Sequence, residues 1–282
     1  MFLLLFEINN VLLSKNGEMK RSLFVIVMIS LLAMIFVSLY YYYHWKPLWS
    51  YEESRTFYPV SYHRDDTLRI VMIGDSWVGM RTDTINNLFQ KRLSVISGRP
   101  VILKSKGKGG EKSRGIYQLM FEEDGLGTKL LLESGADYCV VIAGINDSAA
   151  NLGKKQFAHH MKLIIDFLLK NGICPILIEI PNVNIWNVYG GKPIKDLGVD
   201  FTRSLMTRCG MYHFPEYREA LRLMLEDSQL LDSVIIVPMN GWNGKDYDLN
   251  KQLFLDDQIH LNQQGYLKLD SCIMNAIIRD LQ

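Results

Sequence analysis

Hydrophobic and polar positions are distributed unevenly along this chain. From Ser22 to Tyr43 the run SLFVIVMISLLAMIFVSLYYYY carries no charged residue. A helix of that length, at about 1.5 Å per residue, spans roughly 30 Å, the thickness of a bilayer core. Soluble helices this long keep a polar face, so residues 22–43 are expected to form a transmembrane helix. Lys15, Lys20 and Arg21 precede the run, and only His44 and Lys46 follow closely. The positive-inside rule then puts residues 1–21 in the cytoplasm and the rest of the chain outside, in the periplasm or at the cell surface. Tyr40 to Tyr43 occupy the exit, where an interfacial aromatic belt fits and a small-residue cleavage site does not. The segment reads as a retained signal-anchor, and Met19-Lys20-Arg21 has the form of its start.

Residues 44–66 are mixed and aromatic with little periodicity, and read as a tether. Beyond them, short apolar runs at 68–73, 101–104, 138–143, 175–180 and 234–237 alternate with amphipathic stretches of helix length. Strands this continuously apolar are buried on both faces, as in a parallel sheet. In the stretch 155–170, Phe157, Met161, Ile164, Ile165, Phe167 and Leu168 share one side, and Asn171-Gly172 supplies a stop. The alternation predicts an α/β fold for residues 67–282: a doubly wound three-layer α/β/α sandwich with a mainly parallel sheet, binding its ligand at the C-terminal strand ends. Residues 182–250 exceed what one crossover needs. They are expected to form an insertion over that sheet edge, with a helix at 215–225.

Composition narrows the function. With 282 residues, 22% charged, 48% hydrophobic and a net charge of +1, the chain is neither disordered nor a basic, nucleic-acid-binding domain. Its four cysteines form no CxxC pair, so neither a disulfide scaffold nor a structural zinc site is expected. Cys139 and Cys174 fall in strands, while Cys209 and Cys272 could pair outside the cell. His63, His159, His160 and His213 are scattered, and the two adjacent ones point to different helix faces, so no metal is expected.

Four short elements carry candidate chemistry. Gly74-Asp75-Ser76 follows the first strand directly, placing a hydroxyl where such sheets bind ligands. The run from Lys104 to Ser113 follows the second strand and holds Gly107, Gly109 and Gly110. It is not a phosphate-binding P-loop, because Glu111 stands where glycine must precede Lys112. Nor is it a dinucleotide fingerprint, since Lys112 stands in place of the third glycine. What remains is a glycine turn able to aim backbone N–H groups at a developing anion. Gly144-Ile145-Asn146-Asp147 ends the third strand, with an amide that can donate to an oxyanion and a carboxylate that can cap the next helix. Asp257-Gln258-Ile259-His260 precedes the last helix, and its spacing lets one turn bring carboxylate to imidazole.

Together these elements resemble the four blocks of the SGNH, or GDSL, hydrolase superfamily over roughly residues 67–280. The resemblance implies a flavodoxin-like sheet and a serine nucleophile at Ser76, with His260 as base and Asp257 as its orienter. It further implies an oxyanion hole made by the Ser76 N–H, Gly110 and Asn146. The glycine block of that family usually begins with asparagine, where this chain has Ser105. Gly110 is favoured over Gly107 and Gly109 because it lies three positions before Ser113. The G-x-S-x-G elbow of the α/β-hydrolases is absent, since Gly79 lies three residues after Ser76.

The expected activity is a cofactor-independent serine esterase acting on acyl esters, acetyl above all, of carbohydrate or cell-envelope material. Trp77, Trp186, Tyr189 and Trp242 are candidate faces for a glycan. An O-acyltransferase to a glycan hydroxyl would use the same residues, and a non-catalytic, membrane-tethered glycan-binding module is the third alternative.

Overall fold

The computed structural model describes residues 17–45, 50–182, 193–239, 242 and 251–282. Two compact units divide at Ser50. The first contains helix α1, Gly17–Trp45, whose segment Arg21–Tyr40 has a mean hydropathy of 2.8 and is long and apolar enough to cross a membrane.

The second unit is built on five strands: β1 (Leu68–Gly74), β2 (Val101–Gly107), β3 (Tyr138–Ile142), β4 (Cys174–Ile178) and β5 (Ile235–Val237). They form one sheet in the order β2-β1-β3-β4-β5, and every pair is parallel. Every residue of β3 is buried, as its uninterrupted apolar run requires. Parallel strands need crossovers, and the helices that supply them cover both faces. Helix α2 (Ser76–Gly79) follows β1, and α3 (Asp83–Ser97) leads back to β2. Next come α4 (Ser113–Leu119), α5 (Lys129–Glu133), α6 (Ile145–Ala149) and α7 (Lys154–Lys170). The last three are α8 (Ile194–Thr207), α9 (Phe214–Asp227) and α10 (Gln263–Asp280). Helix α3 packs on β2 and on α10, while α4 and α9 both pack on α7. The winding reverses between β1 and β3, since the chain adds β2 on one side of β1 and then β3 on the other, and a sheet of this order opens its ligand crevice there.

Two segments differ from the sequence reading. The stretch 44–66, expected as a tether, is a strap bound to the domain from Tyr51 onward. The Glu52 N–H donates to His160 Nε2 at 3.1 Å, the Glu52 carbonyl lies 2.8 Å from His159 Nε2, and its carboxylate takes Arg55, Arg114 and Gln118. Farther along, Tyr58 packs edge-on against Phe121 and at a tilt against Phe167, and donates its hydroxyl to the Met120 carbonyl at 2.6 Å. Little periodicity was visible there because a strap is held by scattered anchors, not by a repeating face.

The stretch 182–250 is only partly an insertion, because it also contains α9 and β5, the last crossover of the sheet. Helix α8 is the excess element. It is tied to the 150–153 loop by Arg203, which donates to the Ala150 carbonyl at 3.1 Å, and by Thr207, which packs on Gly153. All four cysteines are free thiols, so Cys209 and Cys272 are unpaired.

Candidate active site

Strand β1 delivers Ser76 to the C-terminal edge of the sheet. Asp75, only 1% exposed, caps α2 by accepting the Trp77 N–H at 3.0 Å through Oδ1. Ser76 therefore opens the helix, and its own N–H is among those a helix leaves without an internal partner.

The far end of the chain brings the imidazole to that serine. His260 Nε2 lies 3.0 Å from Ser76 Oγ, and His260 Nδ1 lies 2.6 Å from Asp257 Oδ2. The D-Q-I-H run closes on its own carboxylate: Asp257 Oδ1 accepts the N–H groups of Ile259 at 3.0 Å and of His260 at 2.9 Å. Partial burial pushes the Asp257 carboxyl up, but these bonds and the His260 ring outweigh it and hold the group below its ordinary range. An ionised Asp257 keeps a proton on Nδ1 and leaves Nε2 free to accept one.

Trp77 locks this turn in place by donating Nε1 to the Ile259 carbonyl at 2.9 Å. That bond corrects an expectation. Trp77 and Trp242 are 1% and 2% exposed and pack at tilted and edge-on angles against each other and Phe254, so neither presents a face to substrate. A tryptophan beside Ser76 looks the same in sequence whether it greets a ligand or braces a turn. Trp186 and Tyr189 lie outside the described residues.

The glycine loop is the third contributor. A Cβ on Gly107 would sit 2.6 Å from both the Asp75 carbonyl and the Gly79 nitrogen, so this glycine lets β2 close against the turn that carries Ser76. Gly109 and Gly110 sit exposed at the loop tip, and Gly110 has φ +71°. Asn146 joins the tip to β3, donating Nδ2 to the Glu111 carbonyl at 3.0 Å and, at a longer 3.3 Å, to Asp75 Oδ2. Ser105 accepts from Asn86 Nδ2 at 2.8 Å, and Asn86 in turn accepts from Arg81 Nε at 2.9 Å.

Two buried carboxyls lie beneath these groups. Burial, with Asp147 nearby, pushes Asp75 up to about 7. Burial also pushes Asp147 up to about 6, against hydrogen bonds from Ser113 that favour the charged form. Asp147 begins no helix as a cap; it turns inward and binds Ser113. That partner was missed in sequence, where the only trace was a serine at the first position of a helix. Among the described residues, no group of three His, Cys, Asp or Glu side chains is placed to hold a metal ion.

The arrangement thus sets a hydroxyl against an imidazole that is itself held by a carboxylate, beside a side-chain amide and a glycine turn. Such a set can generate an alkoxide and stabilise an anion formed next to it.

The family model described as GDSL-like Lipase/Acylhydrolase family matches residues 72–268. No curated protein matches the sequence. Among solved structures, the lipase/acylhydrolase from Enterococcus faecalis is 16% identical with a TM-score of 0.53, covering 74% of this chain and 95% of its own. The psychrotrophic esterase EstA from Pseudoalteromonas sp. is 15% identical with a TM-score of 0.52, covering 77% and 99%. TesA is 18% identical with a TM-score of 0.51, covering 74% and 97%. These likenesses show the shared α/β fold, and the family match extends over more than half of the chain. The chain belongs to the GDSL-like lipase/acylhydrolase family and is a hydrolase of ester bonds.

Proposed function

We propose that this protein is a serine esterase in which Ser76 attacks the carbonyl carbon of an acyl ester. The observation that carries this reading is the chain of contacts from Ser76 Oγ to His260 Nε2 and from His260 Nδ1 to Asp257. His260 takes the Ser76 proton as the Oγ–C bond forms. It then returns that proton to the alcohol oxygen as the C–O bond breaks, leaving an acyl-serine. Water, deprotonated by His260, attacks the acyl carbon, and as the C–Oγ bond breaks His260 returns the proton to Ser76 Oγ and the acid leaves. The Ser76 and Gly110 N–H groups and the Asn146 amide hold the oxyanion. Asn146 keeps its bond to Glu111 and turns its longer, weaker contact with Asp75 toward the new charge.

The substrates proposed are small acyl esters, acetyl in particular, on carbohydrate or other cell-envelope material. The exposed Gly109 and Gly110 beside the half-buried Ser76 leave room for a bulky alcohol part. An extracytoplasmic domain on a signal-anchor would meet such material. Relatives described as an esterase and as a lipase/acylhydrolase fit ester cleavage.

Fluorophosphonate labelling of wild type against Ser76→Ala tests the nucleophile, and labelling that persists in the variant sinks the assignment. A panel of acetyl and longer acyl esters, scored for free acid against transfer to an oligosaccharide, then separates hydrolysis from acyl transfer.

A further inference from the structure

Helix α8 is amphipathic in the wrong sense for a soluble surface. Two polar side chains at its middle turn to the domain: Asp200 is 3% exposed and accepts the Tyr212 hydroxyl, and Arg203 bonds the Ala150 carbonyl. Its apolar side chains face outward, with Ile194 88%, Phe201 56%, Leu205 63% and Met206 46% exposed. Ile194, Phe201 and Leu205 fall at i, i+7 and i+11, so they form one ridge along the helix. Ordinary surface helices turn the opposite way, and an exposed apolar ridge of this length marks a contact surface.

The occupant follows from the chain itself. Lys195 and Arg208 are exposed at the two ends of the ridge, the basic flanking that suits anionic headgroups around an inserted apolar face. Only residues 46–50 separate Trp45, the end of the apolar helix α1, from Tyr51, where the folded domain begins. A fully extended stretch of that length reaches roughly 20 Å, so a chain anchored by α1 cannot carry its domain far from lipid. The strap tightens that limit, because Glu52 is already fastened to His159 and His160.

We infer that the outer face of α8 rests on the lipid bilayer, with Ile194, Phe201, Leu205 and Met206 at the acyl boundary and Lys195 and Arg208 on anionic headgroups. The inference rests on α1 being a membrane span. Since α8 is pinned to the 150–153 loop, one loop beyond Asn146, such contact holds the catalytic edge of the sheet near the membrane surface.

The full chain is reconstituted in phosphatidylcholine–phosphatidylglycerol vesicles after attaching an environment-sensitive fluorophore to single variants Ser30→Cys, Val95→Cys or Phe201→Cys. Labelling of the wild-type chain sets the background from its four native thiols. Doxyl lipids should quench positions 30 and 201 several-fold and leave 95 unchanged, whereas aqueous iodide should quench only 95. Quenching at 30, with 201 as open to iodide as 95, overturns the role of α8 and spares the membrane span. Protection of 201 from both quenchers assigns the ridge to a protein partner, such as a second copy, and equally overturns it. No lipid quenching at 30 overturns the span, and the inference with it.

Discussion

Ser113 holds both oxygens of Asp147: its hydroxyl donates to Oδ1 at 2.6 Å and its N–H to Oδ2 at 3.0 Å. The first turn of α4 is thereby bound to the first turn of α6, which sets the glycine loop against Asn146. Ser113→Ala should cost about 1–3 kcal/mol, because it leaves a buried carboxylate oxygen short of a donor. It should also push the Asp147 carboxyl further up. Denaturant unfolding checks the first effect, and its dependence on pH checks the second.

A second tie lies behind α2, the helix that Ser76 opens. Arg81 and Asp270, 0% and 3% exposed at their side chains, pair at 2.8 Å and join the end of α2 to α10. Asp270→Ala should destabilise the domain by about 3–5 kcal/mol, since it strands a buried guanidinium. Arg81→Met combined with Asp270→Leu should recover most of that loss. Urea midpoints of the two singles and the double measure the difference, and a double as unstable as the singles would contradict the argument.

Removing the Asn146 amide should act on turnover far more than on binding. On the proposed mechanism Asn146→Ala deletes a donor to a charge that exists only in the transition state, so kcat should fall roughly a hundredfold or more with KM little changed. Steady-state rates on an acetyl ester, with circular dichroism to confirm folding, provide the check.

Stability should decline as pH rises from about 4 to 7. Asp75 is held at about 7 against an ordinary value of 3.8, so across that window the folded chain keeps a proton that the unfolded chain releases. Asp147, at about 6, adds to the same slope over the lower part of the window. In Asp75→Asn the slope above pH 6 should flatten. Unfolding midpoints from pH 4 to 8 test this, and an unchanged slope in the variant would remove Asp75 as its source.

The strap should behave as part of the fold. A fragment beginning at Tyr51 should be roughly 2–4 kcal/mol more stable than one beginning at Thr67, which uncovers Phe121 and Phe167. Thermal melts of the two fragments compare them directly, and equal midpoints would return the segment to the status of a tether.

Much of the fold was legible because its signals are local. The five apolar runs became the five strands, with β2 extending to Gly107, three residues past the reading. The α7 face carrying Phe157, Met161, Ile164 and Phe167 is buried as its spacing required. Ser76, Asn146, Asp257 and His260 could be singled out because each sits in a short motif at a strand or helix end. Trp77, Trp242, Ser113 and the strap were not legible, since burial and partner depend on contacts across the chain. Trp77 meets Ile259 across 182 residues and Ser113 meets Asp147 across 34, and neither separation has a period.

What the sequence by itself determined is therefore the set of local choices: an apolar stretch long enough for a bilayer, alternating buried strands and amphipathic helices, and reactive groups placed at element ends. Tertiary structure alone decided which of those groups meet. It put His260 against Ser76, turned two tryptophans inward, and left the apolar ridge of α8 facing out. Periodicity reports whether a residue prefers lipid, core or water. Distance between residues far apart in the chain is set only when the sheet closes and the crossovers bring its edge together.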